Sequence, residues 1–241
     1  MRSQRRSSLV SATDPAGALI EHEIATATTV VRGYLRRVLG GHAGALTPDQ
    51  RHCLQAADRE AERVGRLLED LLSLADHPSN TFSLVVQPEA LGCVIERAAV
   101  STRPFFEERD MVLEVAAGDA PPTLPLDGNR IEQVLINLLG NAAKFAPRGS
   151  SVRVEVARTE RAGAPFTCVR VVDAGPGVLP EDALRIFEPW VRGRAALDTG
   201  LRGAGLGLAV SRRIVEAHGG NIEAVPGVGH GLFQIFLREK V

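Results

Sequence analysis

Lysine is almost missing from this chain: Lys144 and Lys240 are the only two, and arginine supplies the rest of the 28 basic residues. A lone ammonium kept at 144 among so many guanidiniums points to chemistry of its own, because a compact point charge and a planar fork are not interchangeable. Cysteine is scarce too. Cys53, Cys93 and Cys168 are odd in number and far apart, which excludes a disulfide framework and any metal-ligand spacing and leaves ordinary thiols of a reducing compartment. An excess of one charge is also missing, since 29 acidic residues give a net charge of -1. Nothing here calls for nucleic acid or an acidic partner. No apolar run approaches the length of a bilayer crossing and no leader pattern precedes a cleavage site, so a soluble, cytoplasmic chain is expected. Repeats and low-complexity blocks are absent. What is present is 44% apolar content over 241 residues, enough for a real core in one large or two modest domains.

Residues 1–15, with Arg2, Arg5, Arg6 and several serines, read as a disordered basic tail. A long helix is expected from about 16 to 40, where Ile20, Ile24, Ala27, Val31, Tyr34 and Val38 form a heptad seam. Gly40, Gly41 and Gly44 break it. Thr47-Pro-Asp-Gln50 opens a second helix with a capping box, and Leu54, Ala57, Ala61, Val64, Leu68, Leu71 and Ala75 repeat the seam. Two such helices make an antiparallel hairpin over 16–77 that buries only one seam alone. Pairing with a second copy into a four-helix bundle is therefore expected. His22 falls at the heptad position furthest from the partner helix, with Thr26 on the same outer side. It is either a plain surface residue or, through its nucleophilic ring, a phosphoryl acceptor.

His77-Pro78-Ser79-Asn80 marks a boundary, and 78–241 follows a different grammar. Strands are expected at 82–86, 111–115, 152–156, 166–172, 221–225 and 231–237, with helices at 88–102, 127–147 and 207–218. Phe166 to Val172 is apolar throughout and reads as a strand covered on both faces. Mixed elements without strict alternation predict an α/β sandwich, with helices on one face of a mixed sheet, and an α+β chain as a whole.

The helix from Asp127 carries Ile131, Val134, Leu135, Leu138, Leu139 and Ala142 on one stripe. Asn137 and Asn141 share a flank, with Lys144 one turn on. Two carboxamides and an ammonium suit a hydrated Mg²⁺ carrying phosphates; the same residues also serve as a solvated helix flank. In Val172-Asp-Ala-Gly-Pro-Gly-Val178, Asp173 ends a strand and could accept an exocyclic amine, while Gly175 and Gly177 let the backbone turn beside a flat ring. Gly203-Ala-Gly-Leu-Gly-Leu208 opens a helix whose first N–H groups suit phosphate oxygens. It is neither a Walker A loop nor the dinucleotide fingerprint.

In order, Asn137/Asn141/Lys144, Asp173-x-Gly-x-Gly, Phe187-Glu-Pro-Trp190 and Gly203-x-Gly-Leu-Gly-Leu208 resemble the N, G1, F and G2 boxes of histidine-kinase ATP-binding domains of the Bergerat fold. Upstream, His22-Glu-Ile-Ala-Thr26 resembles the H box of the dimerisation and phosphoacceptor hairpin. The resemblance covers about residues 16–238. It implies that His22 accepts the γ-phosphoryl group of ATP, that Glu23 polarises its ring, and that Thr26 serves a phosphatase direction. Asn141, with Asn137 before it, would hold Mg²⁺, Lys144 would contact phosphate and Phe145 would lie beside the nucleotide. Asp173 would bind the adenine amine, and Gly203, Gly205, Leu206, Gly207 and Leu208 would form the lid and phosphate loop. The implied partners are a second copy and a response-regulator aspartate.

The chain departs from the family at Ala25 and Ala27, where Arg and Pro are usual, at Trp190 and Val191, where Phe-Tyr is usual, and at Ala204. Without a proline at 27 the helix after His22 is expected to be stiffer, which predicts slow autophosphorylation with phosphatase activity retained. Two other readings share the nucleotide boxes. One is an ATP-binding dimeric scaffold with little catalysis. The other is a Bergerat ATPase or protein-serine kinase, which lacks the His-Glu-x-x-Thr hairpin.

Overall fold

The computed structural model describes residues 15–55, 57–58, 61, 64–65, 84–116, 118, 123–198, 200–201 and 203–239, of which 15–26, 195 and 198 are described by backbone alone. The seam positions Leu68, Leu71 and Ala75, the boundary 77–80 and Lys240 lie outside these residues. The chain divides into two compact units, 1–80 and 81–241.

In the first unit, α1 (Pro15–Leu39) is helical throughout, across Ala27 and the three candidate residues His22, Glu23 and Thr26. It ends where Gly41 and Gly44 take positive φ. The second helix, α2, starts at residue 48 and is described to residue 65 with gaps. Its capping box is formed: the Gln50 N–H donates to Thr47 Oγ1 at 3.2 Å and the Thr47 N–H donates to Gln50 Oε1 at 3.0 Å. The contact inside the hairpin uses a stripe one position on from the heptad seam. Thr28, Arg32, Leu35 and Leu39 are half-buried, and Arg32 faces Asp58 at 3.7 Å. Val31 and Tyr34 stay 51% and 68% exposed. Of the described seam residues, Ala27, Val31, Tyr34, Ala57 and Val64 are thus left exposed in a single chain, while Val38, Leu54 and Ala61 are half-buried.

The second unit runs β1 (Gln87–Glu89), α3 (Leu91–Glu107), β2 (Val112–Ala116), β3 (Leu124–Leu126), α4 (Gly128–Phe145), β4 (Ser151–Arg161), β5 (Ala164–Asp173) and β6 (Gly177–Val178). A 3₁₀ turn (Arg185–Phe187), α5 (Arg194–Asp198), α6 (Gly207–Ala217), β7 (Asn221–Ala224), β8 (Gly227–Val228) and β9 (Gly231–Arg238) follow. The main sheet has the order β2-β4-β5-β9-β7, with β2 and β4 parallel and the other neighbours antiparallel. It is a mixed sheet, as expected.

Alternation along each strand separates the two faces. The row Val156, Val169, Ile235, Ile222 crosses one face and is buried beneath the helices. The next row, Glu155, Arg170, Gln234, Glu223, crosses the other face and is half-exposed. The 166–172 strand is therefore not covered on both faces along its length. Its outer side closes only around Cys168, whose neighbour Phe236 lies under the Arg161 guanidinium at 3.9 Å. On α4 the six stripe residues read from the sequence are all buried. Several boundaries differ from expectation: the strand expected at 152–156 runs from Ser151 to Arg161, and β3, β6 and β8 are additional to the expected strands. Among the described residues the first strand is 87–89; of the expected 82–86, residues 84–86 are not in a strand and 82–83 lie outside the described residues. The helix expected from Pro88 starts at Leu91 and runs through Pro104 to Glu107.

Candidate functional site

Helices α4 and α6 begin differently. The start of α4 is capped, since Asp127 Oδ1 accepts the Arg130 N–H at 3.2 Å. Leu206, which precedes α6, gives no side-chain cap. The first-turn donors of α6 are thus left to backbone, water or an anion, and the helix dipole favours the anion. Beside this turn, the Lys144 ammonium lies so close to Gly203 that a Cβ there would come within 3.1 Å of it. The same ammonium sits 5.0 Å from the Phe145 ring centroid. A cation and a helix N-terminus converge on the glycine loop.

The loop's shape is set at its neck. The Trp190 N–H donates to the Gly205 carbonyl at 2.9 Å, tying the two ends together. Gly205 has φ +74, and a side chain there would press on the Trp190 and Val191 backbone. Trp190 itself has φ 68, a conformation bulky residues rarely adopt. Between these ends Asp182 Oδ2 accepts the Arg194 N–H at 2.7 Å, and Arg192 donates to the carbonyls of Ala196 and Leu201.

Asn137 reaches α6. Its Nδ2 donates to the Gly207 carbonyl at 2.8 Å and to Ser211 Oγ at 3.2 Å, and a Cβ at Gly207 would collide with the amide. Asn141, one turn later and half-buried, stands between Asn137 and Lys144 on the same flank.

Asp173 ends β5, and Gly175 in the turn after it backs onto Phe145 and Ala146 at the end of α4. Its carboxylate is 8% exposed and accepts the Gly175 N–H at 2.7 Å. Burial raises its pKa above the ordinary value, while the Gly175 and Gly231 amides and His230 oppose the rise. Gly177 pairs with Val228 in the small β6–β8 ribbon that follows. Leu206 is buried and Leu208 half-buried. The side chains of His22, Glu23 and Thr26 are outside the described residues. Sequence reasoning missed the roles of Ser211, Gly231, Asp127 and His218 in this unit, because each also bonds a partner distant in the chain.

The residues present fit ATP with a divalent cation: a buried carboxylate for an amine, then two amides, an ammonium and an uncapped helix start for phosphates. Among the described residues no cluster of His, Cys, Asp and Glu could hold a metal by itself.

Residues 18–80 match the His Kinase A (phospho-acceptor) domain, and residues 126–240 match the histidine kinase-, DNA gyrase B-, and HSP90-like ATPase family. The chain belongs to the histidine kinases, as a two-component catalytic core. It is 28% identical to the sensor protein KdpD of Clostridium acetobutylicum over 92% of its length, and 31% identical to the circadian input-output histidine kinase CikA of Synechococcus elongatus, again over 92%. It spans 24% and 29% of those proteins. Among solved structures, full-length ShkA in complex with AMPPNP matches 93% of this chain and 46% of its own, at 28% identity and a TM-score of 0.71. The mycobacterial sensor histidine kinase MprB matches 64% of this chain and 99% of its own, at 26% identity and a TM-score of 0.56.

Proposed function

We propose that this core binds Mg²⁺ and ATP, autophosphorylates on His22, and passes the phosphoryl group to a response-regulator aspartate. The observation that carries the reading is the convergence of Lys144 and the α6 N-terminus on one glycine loop, with buried Asp173 held by Gly175 where that turn backs onto Phe145 at the end of α4, in a chain whose hairpin matches the phospho-acceptor family. Phosphoryl transfer asks mainly for positioning and charge neutralisation. Asp173 orients the base, Phe145 lies beside it, and Gly203, Gly205, Leu206, Gly207 and Leu208 shape the phosphate loop. Lys144 offsets developing charge. Asn141, with Asn137 setting its helix against α6, would hold Mg²⁺, which when bound neutralises phosphate oxygens.

In the transfer a ring nitrogen of His22 bonds to the γ-phosphorus as the bond to the bridging oxygen of ADP breaks. Glu23 supports the cationic ring, and Thr26 is placed to orient water in the reverse, phosphatase, direction. The open seam at Val31 and Tyr34 supports a homodimer through the hairpin. No described helix is long and apolar enough to cross a membrane. A core that spends ATP belongs on the cytoplasmic side.

The test is incubation with γ-labelled ATP. Acid-labile, alkali-stable label that disappears in His22→Ala is expected. Label mapped to His42, His52, His77, His218 or His230, with His22 bare, overturns the assignment.

A further inference from the structure

Asp127 joins three pieces of backbone. Its Oδ1 caps α4 at Arg130, and its Oδ2 accepts the Val85 N–H at 3.0 Å. Its own N–H donates to His218 Nε2 at 3.0 Å. Because Nε2 accepts, the proton sits on Nδ1, which donates to the Ile214 carbonyl at 2.7 Å. Every link in this chain is saturated and partly or wholly buried. Val85, by contrast, is 72% exposed, so it is placed by its backbone bond and not by packing of its side chain.

The arrangement makes α6 a strut. Its first turn ends the glycine loop and is bonded to Asn137, while His218 just past its last turn is bonded to Asp127. Helices α4 and α6 therefore run antiparallel, with both ends of α6 tied to α4, at Asn137 in its middle and Asp127 at its start, about 16 Å apart by helical rise. A restraint on one end of such a helix is felt at the other, since an intact helix moves as one body.

We propose that Asp127 and His218 are positioning residues that couple nucleotide binding at the Gly203–Leu208 end of α6 to the holding of residues 84–86 at the other end. The inference rests on the ATP-binding reading of the site. Nucleotide on the loop steadies α6; His218 then steadies the Asp127 amide, and Asp127 keeps its carboxylate on Val85. Linkage makes the effect reciprocal, so freeing Val85 lowers nucleotide affinity by the same factor. Residues 84–86 lead the chain into the ATP-binding unit, so this link would carry information about nucleotide state toward the segment before it.

Hydrogen exchange of the Val85 amide in the full chain tests this, with and without saturating Mg²⁺ and AMPPNP. Nucleotide should slow exchange by about 5-fold or more, the lower bound of ordinary coupling. Asp127→Ser keeps the α4 cap but has one oxygen for two donors. In it exchange should be fast, insensitive to nucleotide, and accompanied by the matching loss of affinity. Asp127→Asn, with its volume kept, is the second variant if the serine protein folds poorly. A nucleotide-free arm compares His218→Leu, expected to speed exchange at Val85, with His218→Gln, whose Oε1 replaces Nε2 as acceptor and should restore protection. Equal Val85 protection with and without bound nucleotide overturns the coupling, as does a nucleotide effect that survives in folded Asp127→Ser. Absence of any nucleotide binding by calorimetry overturns the proposed function itself, and the coupling with it.

Discussion

In the ATP-binding unit the apolar stripe of α4 is sealed, with Ile131, Val134 and Leu139 at 0% exposure; in the hairpin, Val31 and Tyr34 on an equally regular stripe stand 51% and 68% exposed. The periodicity is the same in kind, but the partner differs. Helix α4 finds its cover in the same chain, against α3, α6 and the sheet. The hairpin uses a mixed stripe that includes the Arg32–Asp58 pair for its internal contact, and leaves Val31 and Tyr34 of its apolar seam exposed. One unit is covered within a single chain; the other, in the proposed homodimer, is half of an assembly.

The comparison breaks most strongly in the sealed core. Leu135→Ala should cost the ATP-binding unit about 2–5 kcal/mol, the range for a buried leucine truncated to alanine. Denaturant unfolding should show this loss at every protein concentration; a loss that depends on concentration would mean the core is not self-sufficient. Next in size, Asp173→Asn should weaken ATP binding by about 1.5–3 kcal/mol, the range for a hydrogen bond involving a charged group. Unchanged affinity by calorimetry in the folded variant would remove Asp173 from the base-binding role.

A smaller effect concerns pH. Burial, the larger cause, depresses the His218 pKa from its ordinary 6.5, outweighing the Ile214 carbonyl and the Asp127 charge. The unfolded chain therefore takes up this proton first. Stability of the ATP-binding unit should fall as pH drops below 6.5 toward the depressed value and then level off. Melting curves of His218→Gln should lack this component; an identical pH slope in both proteins would refute it. The smallest effect within one chain belongs to the open seam. Tyr34→Glu should shift the stability of a single hairpin by only about 0.5 kcal/mol or less, as exposed positions do. In sedimentation it should nonetheless separate the dimer, and a variant that stays dimeric would point the assembly at another face.

Much of this was legible because it depends on local pattern. The α4 stripe, the Val152/Val154/Val156 alternation and the Thr47–Gln50 capping box are each set by residues within a few positions of one another. The site's glycine loop and Asp173 were legible for the same reason. What pattern could not show was contact at a distance. The spacing puts Asn137 on the flank of Asn141, but not that α6 packs there and takes its amide. Asp127 and His218 stand 91 residues apart, and nothing local to Ala-His-Gly-Gly announces the bond. The strand at 87–89 was hidden by Pro88, which faces Pro125 in a two-stranded ribbon where missing ladder donors cost little. The hairpin's inner stripe was hidden because two adjacent stripes were open to choice, and the apolar one looked inward.

Trp190, at the neck of the glycine loop, is the single tryptophan of the chain. Its indole is 62% exposed while its backbone is pinned to Gly205. Every photon of tryptophan emission therefore originates at this neck. The protein carries its own optical reporter there, readable without a label, and a spectral shift on adding nucleotide is a signal from the loop's surroundings rather than an average over the molecule.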